Sequence, residues 1–330
     1  MTPNTNDITL NVYITHWVQV VEKTYFRQIK SASIELAEHL IEHFRHVGIP
    51  RQSHPIQQQL WNLAAIGLPR IFVNIYCNAD PQIDFQFFVD RAKSYGTELE
   101  FQIVISSPPD VSDSFSLTNL YKADFANDVF RADPSDLFMY LEHDQLFDRA
   151  NLDYFLSWLP RLSEYGLLPG FLRIEWHSKR KAWVSTDQTE STIKDDVTHI
   201  QIDANVFIDL KSPYSGMYLV DLTHAKICLE QFEHTKQHEG DQWFRRQDID
   251  VFFKSLGTAE RSALGSRLAH HRSNDSQISD WFSSYPVGFV LEDKCPIQGA
   301  CVWHASNNYA KQRRFRRSGY GTISLDAIYR

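Results

Sequence analysis

The 330-residue sequence predicts an α/β fold: a mainly parallel, doubly wound sheet flanked by helices, followed by a mixed half. Three observations carry that expectation. Strand-like and helix-like segments alternate at a regular rhythm up to residue 144. Several strand-like segments are almost continuously apolar, as strands covered on both faces are. After residue 145 the rhythm changes, and strand-like segments follow one another without long helices between them.

The elements follow in order. "ITLNVYITHW" (8–17) is rich in β-formers, with Val12 and Ile14 on one face. From about 22 to 47, Leu36, Leu40, Ile41, Phe44 and Val47 fall at helical spacing, and Gly48 and Pro50 close the helix. "RIFVNIYCN" (70–78) has the pattern of a buried strand. Asp80-Pro81 reads as an N-cap followed by proline in the first helical position, with Phe85, Phe88, Val89 and Ala92 continuing at helical spacing. "LEFQIVIS" (99–106) is a third strand, "LTNLYKADFANDVFR" (117–131) a third helix, and "DLFMYLEHD" (136–144) a fourth strand. Asn151 is placed to cap a helix that ends near Gly166. Residues 169–187 and 198–210 then read as strands, 221–254 as a longer helical region, and 256–280 as a polar stretch. There is no internal repeat and no low-complexity linker. The expectation is therefore one domain, 1–330, with functional halves 1–150 and 151–330.

Composition narrows the function classes. A hydrophobic fraction of 43% with 13% aromatic residues describes a folded chain. A net charge of −8 argues against nucleic acid as a partner. Cys77, Cys228, Cys295 and Cys301 form no CxxC pair, which fits a reducing compartment better than a disulfide framework. The polar start, with no apolar run of about 20 residues anywhere, leads to the expectation of a soluble cytoplasmic protein. P-loop, GxGxxG, GxSxG and HExxH motifs are all missing from the sequence.

The chemistry concentrates where an apolar strand ends in Glu142-His143-Asp144. Ligands of open α/β sheets collect at the carboxyl ends of parallel strands. Acids are costly to bury there unless something compensates them. Carboxylates two residues apart supply oxygen ligands to a hard divalent cation and leave positions open for phosphates. The other reading is a strand running out into a solvated turn, with Asp148 and Asn151 starting the next helix.

Wider context bears on the choice. "DLFMYLEHDQLF", "NLDYFLSW" and "LLPGFLRIEW" together resemble a group of glycosyltransferases with the GT-A fold. In that group a Tyr-Leu-Glu-x-Asp strand end precedes an aromatic helix and a Pro-Gly-Phe-Leu-Arg-x-Glu strand. "LTNLYKADF" is similar to a helix opening of the same group, although Asn119 and Tyr121 depart from it, and "VWHASNNYA" resembles its late His-x-x-Asn-Asn-Tyr segment. The motifs cover about 117–187 and 301–326.

The resemblance implies a metal-dependent transferase moving a hexose-type sugar from a nucleoside-diphosphate donor to a glycan or glycolipid acceptor. It implies Mn²⁺ or Mg²⁺ held by Asp144 and His304, with Glu142 on the ribose or on a metal-bound water. It places the donor near Thr15 and His16 at the end of the first strand. Asn308, beside Asn307 and Tyr309, supplies donors and acceptors suited to sugar hydroxyls or phosphates, or equally to satisfying a tight loop. The basic run Lys311, Arg313, Arg314, Arg316 and Arg317 has several readings: a solvated loop, a contact for the departing diphosphate, or a contact for anionic acceptors or an anionic membrane surface. "SPYSGMYLVD" places Tyr214, Ser215 and Gly216 in a turn suited to lining an acceptor site. For an inverting enzyme Glu175 is the first candidate for the base that takes the acceptor proton, and Asp241 the second. An ion pair of Glu175 with Arg173 or a nearby lysine is the structural alternative. A metal-dependent hydrolase or nucleotidyltransferase, and a non-catalytic sugar-nucleotide-binding protein, are the competing functions.

Overall fold

The computed structural model describes residues 7–16, 18, 55–106, 117, 120–164, 168–177, 182–185, 198–202, 205–209, 217–226, 229, 286–290, 299–305 and 323–324. The helix read at 22–47, the polar stretch 256–280 and most of the helical region read at 221–254 lie outside them.

Four strands pair in parallel as the alternating pattern requires: β1 (Thr9–His16), β2 (Arg70–Cys77), β3 (Glu98–Ile105) and β4 (Leu137–Glu142). A fifth strand, β10 (Met217–Asp221), lies antiparallel on the outer side of β4, giving the order β10-β4-β1-β2-β3. The mainly parallel α/β sheet is thus present, with one antiparallel edge that the sequence reading missed.

The in-register pairing sorts side chains onto two unlike faces. Val12, Val73, Phe101 and Met139 are aligned across one row, so this face is apolar. Helix α1 (Pro55–Ala64) and helix α2 (Phe85–Ser94) cover it, Phe85 meeting Phe101 and Trp61 stacking on Phe87. The next row aligns Tyr13, Asn74, Gln102, Tyr140 and Tyr218 on the opposite face. Helix α3 (Lys122–Arg131) covers that side, with Phe125 edge-on to Tyr13 and Phe138. Crossovers to β2 and β3 thus lie on one face and the crossover to β4 on the other, which puts the switch in winding between β1 and β4.

Several helix starts differ from expectation. Asp80 does not cap α2. Its carboxylate accepts from the Gln82 backbone N–H at 2.8 Å, and Gln82 has φ of 51°, which stops a helix from running through it. Asp84 caps instead, accepting from the Phe87 N–H. Helix α3 starts at Lys122, not at 117. Helix α4 (Arg149–Ser163) is capped by Asp148 rather than Asn151. Asn151 takes the third helical position of a capping box, its amide oxygen accepting from the Asp148 N–H at 2.9 Å.

After β4 the chain makes a two-residue turn, His143-Asp144, and enters a second sheet ordered β13-β7-β6-β12-β5. Its strands are β5 (Gln145–Leu146), β6 (Leu172–His177), β7 (Ala182–Ser185), β12 (Cys301–His304) and β13 (Ile323–Ser324). The segment read as one strand at 169–187 is therefore the hairpin β6–β7. That read at 198–210 is the hairpin β8 (Thr198–Ile202)–β9 (Asn205–Asp209), joined by β11 (Pro286–Val290) in a third sheet. Among the described residues no helix is long and apolar enough to cross a membrane.

Candidate functional site

The site is built where the two five-stranded sheets meet. In β4, apolar Leu137 to Leu141 are all buried, so the strand is anchored by its core up to the point where Glu142 emerges. The His143 N–H donates to the Thr15 carbonyl at 3.1 Å, extending the β1–β4 ladder one step past the strand. This is the crevice between oppositely wound halves, where α/β sheets take ligands.

The second sheet closes on that tip. β12 runs antiparallel to β5, with His304 opposite Gln145, and parallel to β6. The Ala305 N–H donates to the Asp144 carbonyl at 2.8 Å. Asn151 reaches across from α4 and donates to the carbonyls of Gly299 and Cys301 at 2.7 and 2.8 Å. Gly299, with φ of 96°, lies so close to the helix that a Cβ would meet the Ala150 carbonyl oxygen at 2.2 Å. These contacts dock a strand from the end of the chain against the turn that carries Asp144.

The docking juxtaposes three of the expected site residues. His304 Nε2 lies 2.8 Å from the Asp144 carboxylate, and His304 Nδ1 hydrogen-bonds Glu175 on the neighbouring strand β6. Arg173, on the same side of β6 as Glu175, approaches Glu142 at 4.0 Å. Glu175 has no exposed surface, Asp144 retains 12% side-chain exposure and Glu142 retains 27%. Glu142 and Asp144 thus form the accessible rim, and Arg173, His304 and Glu175 lie behind it.

Charge follows from this geometry. Burial lowers the His304 pKa, but the adjacent Asp144 charge and hydrogen bonds to Asp144 and Glu175 outweigh it and the opposing Arg173, raising it to about 9. The carboxyl groups of Glu142, Asp144 and Glu175 thus lie beside Arg173 and His304. The resemblance to GT-A enzymes calls for a divalent cation at this rim.

The donor set can be tested against that idea. Among the described residues, no three His, Cys, Asp or Glu side chains converge as a ready-made metal cage. Asp144 and His304 offer one oxygen and one nitrogen at the rim, and Glu142, two residues before Asp144 in the chain, is paired with Arg173 and partly exposed. Mg²⁺ and its like are commonly held by one or two carboxylates with substrate phosphates and water completing the shell. In addition, the Gln145 side chain is fully buried beside Asp144, with neither of its polar atoms hydrogen-bonded. The residues fit a divalent ion shared with a polyanionic ligand, not one enclosed by protein alone.

The other expected residues divide. His16 is buried at the end of β1 and its ring packs edge-on against His143, centroids 4.7 Å apart, beside the switch point. Thr15 faces the other way, its hydroxyl hydrogen-bonded to Tyr140 at 3.1 Å. Asp241, Asn307, Asn308, Tyr309, the basic run 311–317 and the turn 214–216 lie outside the described residues. Sequence reasoning missed Arg173 as a partner of Glu142. It also missed Asn78, whose side chain bonds both the N–H and the carbonyl of Val18 and so ties the ends of β1 and β2 together. Burial pushes the thiols of Cys77 and Cys301 up to about 12, with Asp80 adding to the effect at Cys77, so neither is poised as a nucleophile.

No protein-family model matches the sequence, and no curated protein matches it either.

Proposed function

We propose that the protein is a metal-dependent glycosyltransferase that moves a sugar from a nucleoside-diphosphate donor to a glycan or glycolipid acceptor. The observation that carries this reading is the pairing of Asp144 with His304, 160 residues apart in sequence, at the winding switch of a mainly parallel sheet. The likeness of the surrounding motifs to GT-A enzymes supplies the reaction class.

Asp144 and His304 would hold the ion, Glu142 would approach it or the ribose, and the β1 end with His16 would receive the nucleotide. Bound there, a divalent cation would supply Lewis-acid stabilisation to the diphosphate. The chain's own part is to fix the donor so that charge develops against preorganised groups. Of the two carboxylates considered for the acceptor proton, Glu175 is sealed beneath His304, which favours Asp241 for an inverting reaction. Arg313 and Arg314, with the rest of the basic run, are assigned to the diphosphate, an anionic acceptor or an anionic membrane surface.

The test is a panel of sugar nucleotides followed by thermal shift with and without Mn²⁺, since a ligand of the folded state raises apparent stability. One donor that stabilises only with Mn²⁺, in wild type but not in Asp144→Asn, is expected. Stabilisation that is unaffected by excess EDTA would rule out the metal. Turnover of the donor without any acceptor sugar would instead support a hydrolase or nucleotidyltransferase, and binding without turnover a non-catalytic role.

A further inference from the structure

The sequence makes Glu175 a candidate base for an acceptor hydroxyl, but its surroundings suit another task. A general base needs to reach the proton it removes, directly or through one water. Glu175 has no exposed surface, and Glu175 and His304 each follow the last pair, Ile174 with Trp303, of the parallel β6–β12 ladder. Its carboxylate hydrogen-bonds the Nδ1 edge of the ring, opposite the Nε2 edge that faces Asp144. An imidazole bonded at one nitrogen has its rotation about χ2 and its tautomer fixed, and the other nitrogen is then aimed at a set position.

We infer that Glu175 is a positioning residue: it orients His304 so that Nε2, paired with Asp144, is presented to the divalent ion of the donor site. The inference rests on the metal-dependent reading above. Arg173 approaches Glu142 at 4.0 Å, and the Nδ1 edge of His304 hydrogen-bonds Glu175. The β6 strand thus contributes one residue to each of the two acids' surroundings: Arg173 beside Glu142, and Glu175 behind the histidine that meets Asp144.

The experiment is a double-mutant cycle on Mn²⁺ affinity, measured by calorimetry on the full chain, with Glu175→Gln, His304→Ala and the combined variant. Glu175→Gln preserves the side chain's volume and one acceptor oxygen, and thermal melts establish that each variant is folded. Loss of such an outer partner typically weakens metal affinity about 10–100-fold, and Glu175→Gln is expected to fall in that range. In the His304→Ala background the same change should have no further effect, because the ring it acts through is gone. An equal loss in both backgrounds would mean that Glu175 acts through its own charge, and the inference would be overturned.

If wild type binds no Mn²⁺, the metal-dependent reading fails, yet the role of Glu175 can still be measured. Proton NMR of the metal-free protein should then show a downfield Nδ1 proton, assigned by its disappearance in His304→Ala. It should move upfield in Glu175→Gln and be lost in Glu175→Ala. A resonance that is unchanged in both, or absent from the wild type, overturns the positioning role independently of any metal.

Discussion

The two sheets that meet at the site use charge in opposite ways. The central sheet buries no acidic or basic side chain in the interior of its strands: β4 is apolar until Glu142, and the row behind it is Tyr13, Tyr140 and Tyr218. The second sheet buries such groups: Arg173 and Glu175 inside β6 and His304 at the end of β12 each have at most 5% side-chain exposure. The difference separates two jobs. Rim acids with some access to water can exchange partners with a ligand at small cost. Buried, mutually bonded charges lose several kcal/mol when a partner is removed, typically about 3–5, so they stay in place. The rim is thus suited to binding and the groups behind it to holding geometry.

The largest effect should come from the rim. Asp144→Asn removes the charge that His304 faces and the oxygen assigned to the ion, and donor turnover should fall at least about 100-fold, the scale of losing one preorganised electrostatic contact. Stability should fall too, by roughly up to 3 kcal/mol, because buried His304 loses the charge that most raises its pKa, so thermal melts must show the variant folded under the assay conditions. Turnover within a few-fold of wild type in a steady-state assay would erase the distinction between rim and interior.

The contact joining the two regions should be next. Gly299→Ala puts a Cβ 2.2 Å from the Ala150 carbonyl oxygen and imposes a side chain on φ of 96°. Strain of this kind costs roughly 2–4 kcal/mol. Urea unfolding should show that loss, and Mn²⁺ affinity should weaken as well, because the strand starting at Cys301 carries His304. Stability lost without any change in Mn²⁺ affinity would show that His304 is held independently of this packing.

These expectations also mark what the sequence made legible. The one-faced apolar pattern of "TLNVYITH", the buried-strand pattern of "RIFVNIYC" and the strand–helix rhythm were enough for the parallel sheet, because these signals are local. Glu142 and Asp144 were legible for the same reason: an apolar run ending in acids shows the strand end directly. The pairing of β12 with β6 and β5 was not, since strands joined across more than a hundred residues leave no short-range trace in the sequence. His304 was found through a motif resemblance, whereas Arg173 beside Glu142, and Glu175 beneath the ring, needed the register itself. The caps failed for a different physical reason. Asp80 and Asn151 are good capping residues by type, but Asp80 is held in a local turn and Asn151 is used to fasten β12.

A smaller effect concerns pH. The His304 pKa is raised to about 9, above the roughly 6.5 of an unfolded histidine, so the folded state binds this proton more tightly. The resulting stability is fully present below about pH 6.5 and is lost as pH rises through about 9. Its size is on the order of 3 kcal/mol at most. Urea midpoints of the metal-free protein should therefore fall across that window. In His304→Gln, which has no proton to lose, the fall attributable to this group should vanish. A wild-type profile that rises with pH over the same range would contradict the assignment.

The smallest effect is expected on the tyrosine face of the central sheet. The Tyr13 hydroxyl donates to the Asp128 carboxylate at 2.7 Å, joining β1 to α3, and the Tyr76 hydroxyl donates to Asp124 at 2.6 Å one turn earlier. Burial raises the Asp128 pKa, the Tyr13 hydrogen bond pulls it back only in part, and Asp124 adds to the rise. A raised carboxyl pKa means that the folded state favours the neutral acid. The stability from this group is present below about pH 4 and lost as pH rises through its folded value. Asp128→Asn keeps the acceptor and cannot ionise, so it should change stability by under about 1 kcal/mol near pH 4 and gain on wild type toward neutrality. Tyr13→Phe removes the donor and should cost about 1–2 kcal/mol at neutral pH, where the carboxylate is left without its bond. The informative measurement is the order of the two variants at pH 7 and again at pH 4. If Asp128→Asn loses more stability at pH 7 than at pH 4, the anion itself is a stabilising element. The tyrosine face would then hold charge in its interior as the second sheet does, and the contrast between the two sheets would narrow to the apolar run of β4 alone.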